Sequence, residues 1–161
     1  MWFRRAVDHH GDPRAETALG RMYANGQGVA QNYAEAERWY HMAADQGDAD
    51  AQMSLGFIYG GSERGLPQDY AEAAKWRRKA ADQGFADAQY SLGGVYEHGY
   101  GLPRDYVQAY MWYDLAASRF SGSEAEKIYA AARDRDLVAA KMTRDQIAEA
   151  QRLAREWKST K

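Results

Sequence analysis

At 161 residues, with a net charge of −2, no cysteine and three prolines, the chain has the length of one domain able to bury a substantial core. So balanced a charge gives no overall attraction to nucleic acid or anionic membrane, and no apolar run reaches the ~20 residues that span a bilayer. The missing cysteines remove disulfides, thiolate nucleophiles and Cys-ligated metals together. They suit either side of a membrane, so cytoplasm and periplasm both stay open, and the opening segment MWFRRAVDHHGD carries basic residues but no apolar signal core.

Taken in chain order, residues 1–11 read as a lone helix, with Trp2 and Ala6 spaced as Trp39 and Ala43 are later. Its partner helix is missing, so either the chain is a piece of a longer protein, or Trp2, Phe3 and Ala6 are buried against a second molecule in a self-associating chain. From residue 12 the chain repeats itself. Leu19-Gly20, Leu55-Gly56 and Leu92-Gly93 recur at separations of 36 and 37 residues, followed by Tyr23, Tyr59 and Tyr96 at one offset. Trp39, Trp76 and Trp112 recur in step, each with Ala three before and four and five after. The one extra residue falls in the connector GGSERG at 60–65, where a loop insertion costs little. Three full units follow, 12–47, 48–84 and 85–120.

Each unit's spacing predicts two helices. The first spans about 12–24, 48–60 and 85–98, the second about 32–46, 69–83 and 105–119. The Gly after each Leu has no Cβ, so a neighbouring helix can approach closely, a benefit that must outweigh its ~1 kcal/mol propensity penalty. Asn32-x-x-Glu35, Asp69-x-x-Glu72 and Asp105-x-x-Gln108 are N-cap signals for the second helices. Pro67 and Pro103 discourage two of the first helices from running on. The stripe Ala73, Trp76, Ala80 cannot be buried within one helix pair and calls for stacked pairs. Residues 121–161 lack the Leu-Gly and Trp signals but still read as two helices, about 123–140 and 143–157. A capping box (Thr143, Gln146) and a staple (Met142, Ile147) open the second, whose face carries Ile147, Ala150, Ala154 and Trp157. The last four residues are expected to fray. The whole chain, 1–161, is expected to be a single all-α solenoid of antiparallel helix pairs.

The pattern A-x3-L-G-x2-Y, a G-x-G connector, an acidic cap with an aromatic, then A-x2-W-x3-A-A and Gly resembles the Sel-1-like repeat over residues 2–120. The related tetratricopeptide repeat has a period of about 34 residues. It also carries a Trp three before the Leu, where this chain has Glu16, Gln52 and Gln89. The resemblance implies a right-handed α/α superhelix, a closing helix pair at 121–161, and a non-enzymatic scaffold or adaptor of a bacterial pathway. Such a solenoid holds a protein or peptide partner on its concave face. A second implication comes from cysteine-rich members linked to peptidoglycan or to β-lactam binding or hydrolysis; this chain has neither Cys nor S-x-x-K. Carried over from tetratricopeptide geometry, the concave residues are Arg14, Thr17, Arg21 and Ala24; Asp50, Met53, Phe57 and Gly60; Asp87, Tyr90, Gly94 and Glu97. They vary between units while the core positions do not. Phe57, Met53 and Tyr90 are the expected apolar anchors, with Arg14 and Arg21 at one end for a carboxylate or backbone carbonyl. The competing reading packs Met53, Phe57 and Tyr90 against neighbouring first helices.

Other signals for chemistry are weak. Gly26-Gln27-Gly28 follows a helix rather than a strand, lacks the third Gly of a dinucleotide fingerprint and recurs in every unit, so it reads as a turn. His9-His10 with Asp8 and Asp12 is the one cluster that could recruit a metal, yet adjacent helical residues point about 100° apart. In KWRRK, Lys75, Arg78 and Lys79 are expected on a solvated outer face with no aromatic beside them for a nucleic-acid base. No catalytic residue, cofactor or metal is expected.

Overall fold

In the computed structural model the described residues are 11–61 and 67–160. The expectations for Trp2, Phe3, Ala6, Asp8, His9 and His10 concern residues outside these. The described residues form eight α-helices: α1 (Pro13–Asn25), α2 (Tyr33–Asp45), α3 (Ala49–Gly60), α4 (Tyr70–Asp82), α5 (Ala86–His98), α6 (Tyr106–Arg119), α7 (Ala125–Ala139) and α8 (Arg144–Glu156). A single 3₁₀ turn, Gly122–Glu124, precedes α7, and no strand is present among the described residues.

The caps expected from sequence start the helices. Asn32, Asp69 and Asp105 accept hydrogen bonds from the backbone N–H of Glu35 (3.1 Å), Glu72 (2.9 Å) and Gln108 (3.1 Å). Each cap residue also donates its own backbone N–H to the carbonyl of the repeated Tyr. These bonds are Asn32 to Tyr23 at 2.9 Å, Asp69 to Tyr59 at 2.8 Å and Asp105 to Tyr96 at 3.0 Å. The connector therefore folds back on the helix it leaves, at the same residue in every repeat. Gly26 and Gly99 end α1 and α5 in the left-handed region (φ 68° and 76°), where a Cβ would be strained. The glycine connector is thus a helix stop followed by a cap, with the Asn or Asp side chain already filling the helix N-terminus.

The chain divides within α4 into two compact units, one running to Trp76 and the other starting at Arg77. In the first unit α1 packs on α2 and α2 on α3, around Ala36, Tyr40, Ala43, Leu55, Ile58 and Trp76. Gly20 lies so close to α2 that a Cβ there would sit 2.6 Å from the Tyr40 ring. In the second unit α6 is central, packing against α5, α7 and α8, and a Cβ on Gly93 would sit 2.5 Å from Tyr113. The residues at the tetratricopeptide Trp position are polar tie points. Glu16, 1 % exposed, accepts from Gln46 Nε2 (2.7 Å) and from the Gly11 N–H (3.2 Å). Gln52 and Gln89 donate to the carbonyls of Ala44 (3.2 Å) and Ala81 (3.1 Å) at the end of the preceding second helix. The two glutamine amides thus supply donors to carbonyls that a helix end leaves open.

Two expectations are corrected here. Arg78 is not on an outer face: its guanidinium lies 5.3 Å from the Trp112 ring centre and 5.5 Å from Tyr96, and donates to the Tyr96 hydroxyl. Aromatic faces attract the cation, and the aliphatic stem covers apolar surface on the way. His41, the equivalent residue in the first unit, occupies the same kind of slot, 2.9 Å from the Tyr59 hydroxyl and 5.3 Å from Trp76. Nor do the residues after α8 fray as far as Thr160. Thr160 donates its N–H to the Asp82 carbonyl at 2.7 Å, and Trp157 anchors the segment beneath Arg119, 4.4 Å from the guanidinium.

Candidate partner-binding face

The first helices of the repeats carry the expected concave residues, and in the first unit an exposed stripe does run along them. Arg14, Ala18 and Arg21 on α1, and Asp50, Ser54 and Phe57 on α3, stand at i, i+4 and i+7, exposed or half-exposed. That spacing is one helical face. Phe57 is 52 % exposed, a large apolar side chain in water. Arg21 and Asp50 bridge the two helices at 3.4 Å with more than half of each side chain in solvent, so the pair adds little to stability and can exchange for a ligand's charges. Beside them Arg14, Thr17, Arg21, Met22, Asp48 and Asp50 line a hollow of about 480 Å³. A smaller one of about 190 Å³ lies between Ala24, Tyr33, Tyr40 and Phe57.

Met53 lies off this face, and Thr17 reaches it only at the hollow. Both stand two residues before the repeated Leu, and they are 4 % and 5 % exposed. The Thr17 hydroxyl donates to Asp48 Oδ1 at 3.0 Å, the same oxygen that accepts the Ala51 N–H (2.8 Å) to cap α3. Met53 falls inside the buried stripe of α3, which takes in Ala51, Gln52, Met53, Leu55, Gly56 and Ile58, wider than one apolar seam requires.

In the second unit the expected residues are engaged by the chain itself. Asp87 pairs with Lys127 at 2.9 Å, the Tyr90 hydroxyl donates to Asp134 at 2.6 Å, and Glu97 accepts from Lys141 and the Tyr113 hydroxyl, both at 3.0 Å. Lys127, Asp134 and Lys141 recur at intervals of seven along α7 and the turn after it, so one face of α7 covers this edge of α5. Tyr90 also packs against Tyr113, 5.5 Å between ring centres. Met53 is buried and Tyr90 is held by Tyr113 and Asp134, so Phe57 alone of the three anchors stays exposed. Ala18 and Ser54 escaped the sequence reading although the i, i+4, i+7 register from Arg14 and Asp50 points to them. Among the described residues no group of three or more His, Asp or Glu side chains is placed to hold a metal, and no helix is long and apolar enough to cross a membrane.

The Sel1 repeat model matches this chain three times in succession, at residues 13–48, 49–85 and 86–119. The chain belongs to the Sel1 repeat family. The three Sel1 segments begin on the first residues of α1, α3 and α5, so the family frame and the helix-pair frame coincide. A Sel1 repeat protein from Oxalobacter formigenes is 38% identical, with a TM-score of 0.66 over 80% of this chain and 95% of that one. A protective antigen present in uropathogenic Escherichia coli strains, displaying an SLR fold, is 31% identical with a TM-score of 0.53. That match takes in 97% of this chain and 39% of the antigen. Comparison with curated proteins gives no match. Sel1 repeats generally mediate protein–protein interactions.

The tyrosines that knit the Sel1 helices should make the fold sensitive to alkali. Burial, then the hydrogen bond to Asp134, pushes the Tyr90 hydroxyl up to about 12. Burial with Glu37, and burial with Glu97, raise Tyr59 and Tyr113 in the same direction. An unfolded Tyr loses its proton near pH 10, so the folded state is the one that holds protons above it. The contribution is complete below about pH 10 and is lost as pH rises from there. Urea midpoints should therefore fall between pH 10 and about 12, and Tyr90→Phe should flatten part of that fall.

Proposed function

We propose that this chain is a non-catalytic scaffold that binds a protein segment along the first-helix face of its first unit. The observation that carries the reading is the open stripe Arg14, Ala18, Arg21 with Asp50, Ser54, Phe57. It combines a half-exposed aromatic with a solvent-exposed ion pair beside a hollow of about 480 Å³. Phe57 is the apolar anchor, and Arg14 and Arg21 meet a carboxylate or backbone carbonyl of the partner, the division of labour common at protein interfaces. The equivalent edge of α5 contributes less because α7 already occupies Asp87, Tyr90 and Glu97.

Pull-down with the wild-type chain and with Phe57→Ala, both checked for equal helicity, tests the reading. Loss of an anchor typically costs 2 kcal/mol or more, about a 30-fold weakening, so at least one wild-type partner should vanish from the variant. Equal recovery of every partner by both proteins would remove this face from consideration.

A further inference from the structure

The segment that leaves α8 packs across the turn between α4 and α5. Trp157 leaves the helix with extended backbone (φ −64°, ψ 135°), and the residues after it run across Gly84. The indole lies under the Arg119 guanidinium at 4.4 Å and meets the buried Trp112 edge-on, 6.1 Å between ring centres at 76°. Gly84 is in the left-handed region (φ 88°). A Cβ built on it would touch Trp157 at 3.7 Å, Arg119 at 3.8 Å and Ser159 at 3.8 Å. At the far end the Thr160 N–H meets the Asp82 carbonyl at 2.7 Å, one of the carbonyls that α4 leaves without an intrahelical donor. One aromatic anchor and one main-chain bond a few residues on are the means by which short extended peptides are held. The corresponding turn of the first unit carries Gly47 in the same conformation (φ 93°), and a Cβ built there meets nothing within 4 Å.

We infer that the Trp112–Arg119–Gly84 slot is a docking site for an extended peptide bearing a Trp with a free backbone N–H three residues on, and that segment 157–160 fills it in cis. The tryptophan gives affinity through the Arg119 face and the Trp112 edge, since cation–π and edge-to-face contacts add to simple burial. The Asp82 carbonyl sets the direction of the peptide. A tethered occupant acts at millimolar effective concentration, so a partner carrying the same features gains the slot only when the chain's own segment is released. This surface is separate from the α1–α3 stripe, and either can fail without the other.

The test uses the full chain with Trp157→Ala, which vacates the slot, and a fluorescein-labelled peptide of residues 155–161 titrated by polarisation. Saturable binding to the variant, at least tenfold tighter than to the wild type, is expected, and adding Arg119→Ala to the variant should abolish it. If Trp157→Ala does not fold, Thr160→Pro serves instead: it removes the N–H donor and should admit the peptide better than the wild type does. No saturable binding to a folded variant, or binding that Arg119→Ala leaves unchanged, would overturn the inference.

Discussion

Replacing Trp112 by Ala should lower the stability of the second unit by about 3–5 kcal/mol, the usual cost of emptying a buried aromatic site. The ring is 1 % exposed, so truncation removes its whole transfer free energy and leaves a cavity. Its neighbours cannot collapse freely into that space. Arg78 is held over the ring at 5.3 Å and by the Tyr96 hydroxyl, and loss of the indole leaves the guanidinium half-buried beside a void. Trp157 loses the edge it packs against, so the segment after α8 should loosen in the same variant. Against a total of about 5–15 kcal/mol for a typical domain, the loss is a large fraction of the unit's stability. Urea denaturation followed by far-UV circular dichroism measures it. Tyr129→Ala is the control, because Tyr129 is 70 % exposed and exposed substitutions stay within about 0.5 kcal/mol. A Trp112→Ala cost no larger than the control's would mean that the Trp stripe does not hold the repeats.

The Trp stripe belongs to the part of the fold that is legible in sequence, and the reason is repetition. Leu55, Trp76 and Asp69 each occupy a position whose neighbours are supplied by the same residues one unit away, so three copies average out the accidents of any one. The caps were readable for a related reason: an N-cap is a contact with a residue three positions on, here Asn32 with Glu35 and Asp105 with Gln108, and needs no knowledge of tertiary structure. The candidate face is the opposite case. Whether a residue beside the core stripe is open depends on which helix comes next to it, and that helix need not follow the repeat. Tyr90 and Glu97 are engaged because α7 carries Asp134 and Lys141 at the matching spacing, yet residues 121–161 lack the repeat motif that would have signalled this. Thr17 turns inward through a contact distant in sequence as well. Tetratricopeptide geometry assigns the residue two before the Leu to the groove, whereas here Thr17 ties α1 to the cap of α3 at Asp48. Trp157 shows the same limit: the helical spacing puts it on the face of α8, whereas the chain turns extended at this residue and lays the indole under Arg119.

Gly93→Ala should destabilise the second unit although alanine is the better helix former. In an exposed helix interior the substitution would gain about 1 kcal/mol. Here the new methyl would meet the Tyr113 ring at 2.5 Å from Cδ1 and 2.6 Å from Cε1, well inside van der Waals contact. Overpacking of this kind costs about 1–3 kcal/mol, so the net change should be a loss. The ring has little freedom to yield: it is 3 % exposed, its hydroxyl donates to Glu97 at 3.0 Å, and Tyr90 packs against it. The sign should therefore depend on Tyr113. In a Tyr113→Ala background the obstruction is gone, and Gly93→Ala should become neutral or stabilising, approaching the gain of about 1 kcal/mol from helix propensity. Urea unfolding of the wild type, the two single variants and the double variant gives the coupling energy directly, expected at about 1–3 kcal/mol for residues in contact. A Gly93→Ala variant more stable than the wild type, or a coupling near zero, would show that the Leu-Gly pair does not serve to bring α5 and α6 together. The same cycle on Gly20 and Tyr40, where the built Cβ lies 2.6 Å from the ring, should give the same sign, because the glycine after the repeated Leu meets the residue after the repeated Trp in both units.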